Sequence, residues 1–399
     1  MTPEPLPAEL RRLRTGRGWS QARLADALCV ASVRSTVTRH DVSRWERGKR
    51  VPRVWLPYLA QVLDVPREEL EHATVAEAEP VPVIETLASL LPPGSAVAPL
   101  TARTGRRVGR KTAIDLAARA HGLRLADDVL AGGDLIGPVF RELDGAVRIL
   151  RESTHSDAVR RELLQAVGEL AQIAGWVASD AADPRTEQTY RLGLDAAWEA
   201  GDKPLAAQLA GSLGYHLVNN GRVADGVDLS VAAVAEAGPD APGKTRALFH
   251  DRAAWAQTQA GDGQAAMRSL GAAHEAIADD DGEAPEWAYW VNEAELEVMD
   301  ARVYTELRRP LRAVPLLSRV LRGYPATSTR ERALYESWLA VAYADANEPE
   351  EAARIAARVI ELSGDVTSAR ASERVRVVLS RLTEFRDVPD VREVLDATR

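Results

Sequence analysis

One cysteine, Cys29, serves a chain of 399 residues. A single thiol cannot close an internal disulfide, so no covalent framework holds the fold, and the sequence suits a reducing compartment. Long apolar runs are missing as well. No stretch approaches the roughly 18 apolar residues that span a bilayer, and no apolar signal region follows the first residues. These absences lead us to expect a cytoplasmic protein with no membrane partner.

Groups that carry chemistry are scarce too. The seven histidines stand at 40, 72, 121, 155, 216, 250 and 274, and none forms an H-x₃-H or H-E-x-x-H pair that would hold a metal. His216 and His250 are therefore expected to be structural or groove-lining. "DDDGEAPE" (279–286) is acidic but lacks the alternating ligand positions and closing Glu of a calcium loop, which leaves a solvated turn. "GRRVGRKT" (105–112) is spaced G-x-x-x-G-x-K-T rather than as a phosphate loop, and no strand precedes it. Cys29 has apolar neighbours and is expected to pack rather than react. No Ser/His/Asp order and no glycine elbow stands out. We expect no enzyme, no catalytic residue, no metal and no cofactor.

What the chain does have is lopsided charge. Residues 1–55 hold twelve Arg and Lys against five Asp and Glu, a surplus of seven in a chain of net −9, so the remainder sits near −16. Such a split suggests a polyanion-binding end joined to an acidic body. In the basic end, Leu6, Leu10 and Leu13 recur at helical spacing until "TGRG" breaks the helix. Ser20 is a natural N-cap for a second helix with Leu24, Ala25 and Leu28 inward. Thr38 and Asp41 fit a capping box that opens a third helix, on which Val42 and Trp45 share a face and which Gly48 ends. "VPRVWLPYLAQVLDVPREELEHA" supplies a fourth and a fifth helix, with Trp55, Leu59, Val62 and Leu63 apolar.

"WSQARLADAL", "DVSRWERGKRVP" and "LAQVLDVPREEL", in that order, resemble the Xre/phage-repressor helix-turn-helix family over residues 6–72. The resemblance implies that the helix from Thr38 enters the DNA major groove. It implies base contacts from Arg39, His40, Ser43 and Arg44, phosphate contacts from Gln21, Arg34, Arg47, Lys49 and Arg50, a core role for Trp45, and a Glu46 that fixes the turn at Gly48. The family joins its second and third helices tightly, whereas "ASVRSTV" (31–37) lengthens that connection here and could carry Arg34 to the groove. Arginine suits the task independently, since it donates two hydrogen bonds to guanine and displaces counterions from the backbone.

Residues 74–138 are expected to be a linker with short helices, one at 83–91 and one through "TAIDLAARAHGL" that the basic cluster Arg103–Lys111 caps. From 139 to 399 the pattern is helix after helix. Turns at "DPR" (183–185), "NGR" (220–222), "GDG" (261–263), "RRP" (308–310) and "NEP" (347–349) recur at the spacing of a helical repeat array. Small residues recur in register, at Gly214, Ala254, Ala301 and Ala340 and again at Gly226, Ala266, Ala313 and Ala352, where two antiparallel helices would approach closely. "LGYHLVNNGRVADGVDLSVAAV" and "ESWLAVAYADANEPEEAARIAARVI" resemble tetratricopeptide repeats. The fold class expected is all-α, a five-helix helix-turn-helix head (1–73) followed by a right-handed tetratricopeptide-like α-solenoid of five or six helix pairs (139–399).

Such arrays present the first helix of each pair on a concave face. The resemblance would put Gln208, Tyr215, Asn219, Asp251, Trp255, Gln259 and Arg302 there as a ligand groove. Most of Trp176, Trp198, Trp255, Trp287, Trp290 and Trp338 are expected to pack between helices, with one or two facing the groove. Together these features suggest a sequence-specific transcriptional regulator that binds double-stranded DNA as a homodimer through repeat contacts. Its repeats would sense a signalling peptide, a small-molecule effector or a protein partner, by analogy with peptide-sensing quorum regulators. The alternative is an interaction scaffold tethered to DNA by its head.

Overall fold

The computed structural model describes residues 6–32, 37–47, 52, 55–66, 70, 105–130, 132–280, 282–325, 328–364 and 368–398. Among these residues it contains eighteen α-helices and no β-strand. The chain divides into two compact units, Met1–Glu85 and Thr86–Arg399.

In the first unit, α1 (Leu6–Gly16) buries Leu6 and Leu10, and Gly18 at φ +66 turns the chain out of it. Ser20 Oγ then accepts the Arg23 N–H at 3.1 Å, capping α2 (Gln21–Ser32), which buries Leu24, Ala25 and Leu28. α3 (Arg39–Trp45) opens on the expected box. Thr38 Oγ1 accepts from the Asp41 N–H at 3.4 Å, and Asp41 Oδ2 accepts from the Thr38 N–H at 2.9 Å. α4 (Leu56–Leu63) starts with Pro57 in its first turn and ends at Asp64 in the left-handed region. The apolar faces of all four helices meet in one core with Val37, Val42, Trp45 and Leu70. The short segment expected at 83–91, Gly48, and all of 67–72 except Leu70 lie outside the described residues.

The second unit opens with α5 (Arg110–Asp127) and α6 (Gly132–Glu152), both packed on α7 (Asp157–Asp180). Pairs follow. α7 pairs with α8 (Thr186–Ala200), α9 (Lys203–Asn219) with α10 (Val223–Ala237), and α11 (Gly243–Gln259) with α12 (Gly263–Ala278). After a 3₁₀ turn at Glu286–Ala288 come α13 (Glu293–Glu306) with α14 (Pro310–Gly323), and α15 (Thr329–Asp345) with α16 (Pro349–Gly364). α17 (Ala369–Leu382) and α18 (Pro389–Ala397) end the array. First helices touch first helices, so α7, α9, α11, α13, α15 and α17 form a continuous inner row.

The turns explain why the pairs form where they do. Ala182, Gly221, Gly261, Arg308 and Asn347, one in each of the five intra-pair turns, lie at φ between 54 and 82. The next residue's N–H reaches back five residues in every case, from Asp183 to the Ala178 carbonyl at 2.8 Å, Arg222 to Leu217 at 2.9 Å and Asp262 to Gln257 at 2.9 Å. Arg309 likewise reaches Tyr304 at 2.8 Å, and Glu348 reaches Tyr343 at 3.0 Å. This is Schellman closure, which satisfies a helix's last carbonyls while reversing the chain. Small residues then set how near the paired helices come. Ala254, Ala266, Ala301, Ala313, Ala340 and Ala352 are all buried, and a Cβ on Gly226 would sit 2.7 Å from the Gly214 carbonyl oxygen.

α5 begins at the basic cluster, where Val108 N–H donates to the Thr154 carbonyl at 3.0 Å and Arg110 pairs with Glu162 at 2.9 Å. Its C-terminal Asp127 bonds Arg330 of α15 at 2.9 Å, and Asp180, ending α7, accepts from Ser368 at 2.8 Å and Arg370 at 2.7 Å. The row of first helices therefore curls until its beginning meets its end.

Candidate functional site

α3 is two-faced. Val42 and Trp45 lie at 1% and 3% exposure in the head core, so the opposite face must point outward, and Arg39, His40, Arg44 and Arg47 are all exposed there. Ser43 is half-buried, and its carbonyl accepts from Arg47 Nε at 3.0 Å. Glu46 anchors the end of this helix from inside. Its carboxylate takes a bidentate pair from Arg14, with Nη2 at 2.9 Å, and the Gln21 amide at 2.8 Å, while its backbone carbonyl takes Arg11 at 3.0 Å. Burial alone would raise the Glu46 pKa, but the hydrogen bonds from Arg14 and Gln21 and the nearby guanidinium charges hold it below the usual carboxylate range. Gln21, expected at phosphate, thus spends its side chain on Glu46. Arg34, Lys49 and Arg50, and any role of Glu46 at Gly48, fall outside the described residues. Cys29 Sγ donates to the Val37 carbonyl at 3.3 Å and packs against the core.

A second cluster occupies the inner row of the repeat unit. Arg302 of α13 donates to Tyr215 Oη of α9 at 2.9 Å and stacks over the Trp255 ring of α11, 4.4 Å from its centroid. Trp255 Nε1 donates to Asn219 Oδ1 at 3.1 Å. Four of the seven expected groove residues therefore converge. The other three do not join them. Gln208 is buried and accepts from Arg252 at 2.7 Å, Asp251 is buried beside Arg252, and Gln259 lies one turn beyond Trp255 at the end of α11. Burial and the charge of Asp300 push the Asp251 carboxyl well above the usual range. Two arginines that the sequence did not point to, Arg370 and Arg374, and two of the tryptophans complete the cluster. Trp176 stacks on Tyr215 at 5.9 Å, and Trp338 meets Trp255 edge-on at 5.5 Å. Arg370 lies 4.7 Å from the Trp176 ring, and Arg374 lies 3.5 Å from that of Trp338.

Residues 6–73 match the helix-turn-helix domain family. No curated protein is similar to the chain in sequence. Among solved structures the chain is similar to BtubC (BKLC) from P. vanneervenii, with a TM-score of 0.42 and 17% identity, covering 59% of this chain and 92% of that one. It is also similar to Bacillus thuringiensis PlcR in complex with the peptide PapR7 and DNA, with a TM-score of 0.34 and 13% identity, covering 79% of this chain and 95% of that one.

The helix-turn-helix match covers all four described helices of the head, including the exposed basic face of α3. The remaining chemistry is that of packing. His216 Nδ1 shares a hydrogen bond with Ser179 at 2.9 Å, and burial lowers the pKa of both His216 and His250. Of the tryptophans, Trp287 is core, whereas Trp198 is 59% exposed on α8, against the expectation that it packs between helices. Among the described residues no helix is long and apolar enough to cross a membrane, and no His, Cys, Asp and Glu cluster could hold a metal.

Proposed function

We propose that the protein is a cytoplasmic, sequence-specific DNA-binding transcriptional regulator whose repeat body (139–399) dimerises and senses a small ligand or partner. The observation that carries this is the helix-turn-helix head, whose α3 is capped at one end, pinned by Glu46 at the other and basic on its outer face. Arg39, His40, Ser43 and Arg44 are the base readers in this proposal, since the first turns of the recognition helix face the base edges. Arg47 holds phosphate, with Arg34, Lys49 and Arg50 beside it. Gln21 contributes through its backbone N–H at the start of α2, where a phosphate oxygen is well placed. A single small head buries too little surface for tight and selective binding, so two heads are expected on half-sites about one helical turn apart or a multiple of it.

Footprinting of the full chain on cellular DNA, with sedimentation to fix its oligomeric state, tests the proposal. Protection of discrete two-fold sites by a dimer is the expected result. Weak, salt-sensitive binding indifferent to sequence would make the head a tether and the protein a scaffold.

A further inference from the structure

Two arginines in the cluster on the inner row have incomplete hydrogen bonding. Arg302 hydrogen-bonds only to Met299 Sδ and Tyr215 Oη, and Arg374 donates to the Ser337 hydroxyl at 2.9 Å. Among the described residues neither has a carboxylate at ion-pair distance, whereas Arg330, Arg370 and Arg381 of the same row each have one. Arg302 Nε and Arg374 Nη2 are buried without a hydrogen-bond partner, an unfavourable state for a donor removed from water. The two guanidinium groups share the Trp338 ring, 5.4 Å and 3.5 Å from its centroid. Burial lowers the Arg374 pKa to about 10, with the Glu306 carboxylate opposing the shift and the Arg302 charge adding to it. Tyr215 feels the same field. Burial would raise its phenol, yet the charges of Arg302 and Arg370 bring it down to about 8. The side chains of Tyr215, Trp176, Arg302 and Arg374 nevertheless keep part of their surface open to solvent. One turn further along α13, α15 and α17 lies a cleft of about 550 Å³ lined by Val341, Val377 and the charged Glu306, Asp345, Glu373 and Arg381, and by none of the aromatic rings of the cluster.

We infer that this inner face binds a small organic oxyanion, a carboxylate or phosphate carried on a flat apolar group, which Arg302 and Arg374 clamp between the rings of Trp176, Tyr215, Trp255 and Trp338. The inference deepens the proposed sensing role and rests on it. An oxyanion supplies acceptors to the two unpartnered N–H groups and separates two like charges, while the aromatic faces hold a planar body. Arg370 remains neutralised by Asp180 and steers the anion without bonding it.

The test is calorimetric titration of the full chain with phenylacetate, phenyl phosphate and the neutral isostere phenylacetamide. At least one anion is expected to bind, with the amide about ten-fold weaker or worse, and the tighter anion identifies carboxylate or phosphate as the natural head group. R302Q and R374Q should each weaken the anion about ten-fold, the loss of one charge-assisted hydrogen bond. Anion binding should also raise the Tyr215 pKa, followed by ultraviolet difference absorbance. Equal affinity for acid and amide, undiminished binding in the double variant, or no binding of any probe in the millimolar range would each overturn the inference. If a variant loses its helical circular dichroism, the acid-against-amide comparison on the unaltered chain decides alone. Footprinting of the head is a separate measurement, so a failure here leaves the DNA-binding proposal standing.

Discussion

Inside the head, Glu46 at 3% exposure and Arg14 at 9% form an ion pair that joins the start of the domain to the end of α3. Removing one partner of such a pair leaves an uncompensated buried charge, typically about 3–5 kcal/mol, far more than a surface bridge yields. Glu46→Ala is therefore expected to unfold or loosen the head, lowering its melting transition and abolishing DNA binding while the repeat body melts as before. An unchanged head transition in calorimetry would deny the pair that role. The pH dependence follows from the same carboxylate. Its folded pKa lies below the ordinary 4.5, so the unfolded chain takes up the proton first as pH falls. The stabilisation is present above about 4.5 and is lost as pH drops through the lowered folded value. Titrating Glu46→Gln against the parent chain should remove that acid-side slope from the head transition.

Between helices, the critical contact is the one where Gly214 faces Gly226. A methyl on Gly226 would meet the Gly214 carbonyl oxygen at 2.7 Å and the Val218 side chain closer still, and both lie on a packed helix that cannot shift freely. Gly226→Ala should cost about 1–3 kcal/mol through overpacking, whatever helix propensity it gains. Gly271, in the middle of α12, has nothing within 4 Å of such a methyl. Gly271→Ala should accordingly stabilise by up to about 1 kcal/mol. Opposite signs for the two substitutions in urea unfolding are expected, and equal signs would contradict the close-approach account. This layer of structure was legible in the sequence because it is local. The turn glycines Gly221 and Gly261, the small residues that recur from Gly214 to Ala340 and from Gly226 to Ala352, and the Thr38–Asp41 box all act within a few residues of themselves. The pairing of Trp176 with Arg370, or Trp338 with Arg374, was not legible. Those contacts depend on how far each helix pair rotates against the next, and no single repeat encodes that sum. Gln208 and Asp251 were misjudged for a related reason. Their helical phase is right for the inner row, but both are buried, Gln208 in a hydrogen bond from Arg252 and Asp251 with its carboxyl pushed above the usual range by burial and the charge of Asp300.

Across the whole repeat body, one buried network joins elements some two hundred positions apart. Arg330 bonds Asp127 at 2.9 Å and approaches Asp180 at 3.7 Å, and Asp180 in turn holds Ser368 and Arg370. Arg330→Met would strand Asp127 and leave Asp180 to Arg370 and Ser368, and a loss of about 3–5 kcal/mol is expected, with α5 and α17 exchanging backbone hydrogens faster than the middle pairs. Uniform exchange along the array would show that the first and last helices are not held by this network. The same curl places the aromatic and arginine cluster within reach of a single ligand, while α3 lies in a separate unit that carries the basic surplus. In the proposed complex the exposed arginines around that helix divide between base edges and backbone. Binding profiles over a randomised duplex library for the full chain, Arg44→Ala and Arg47→Ala measure this directly. Arg44→Ala should flatten base preference at one position at a cost of about 1–3 kcal/mol, whereas Arg47→Ala should weaken all sequences alike and reduce the salt dependence. Identical, sequence-independent losses for both variants would contradict it.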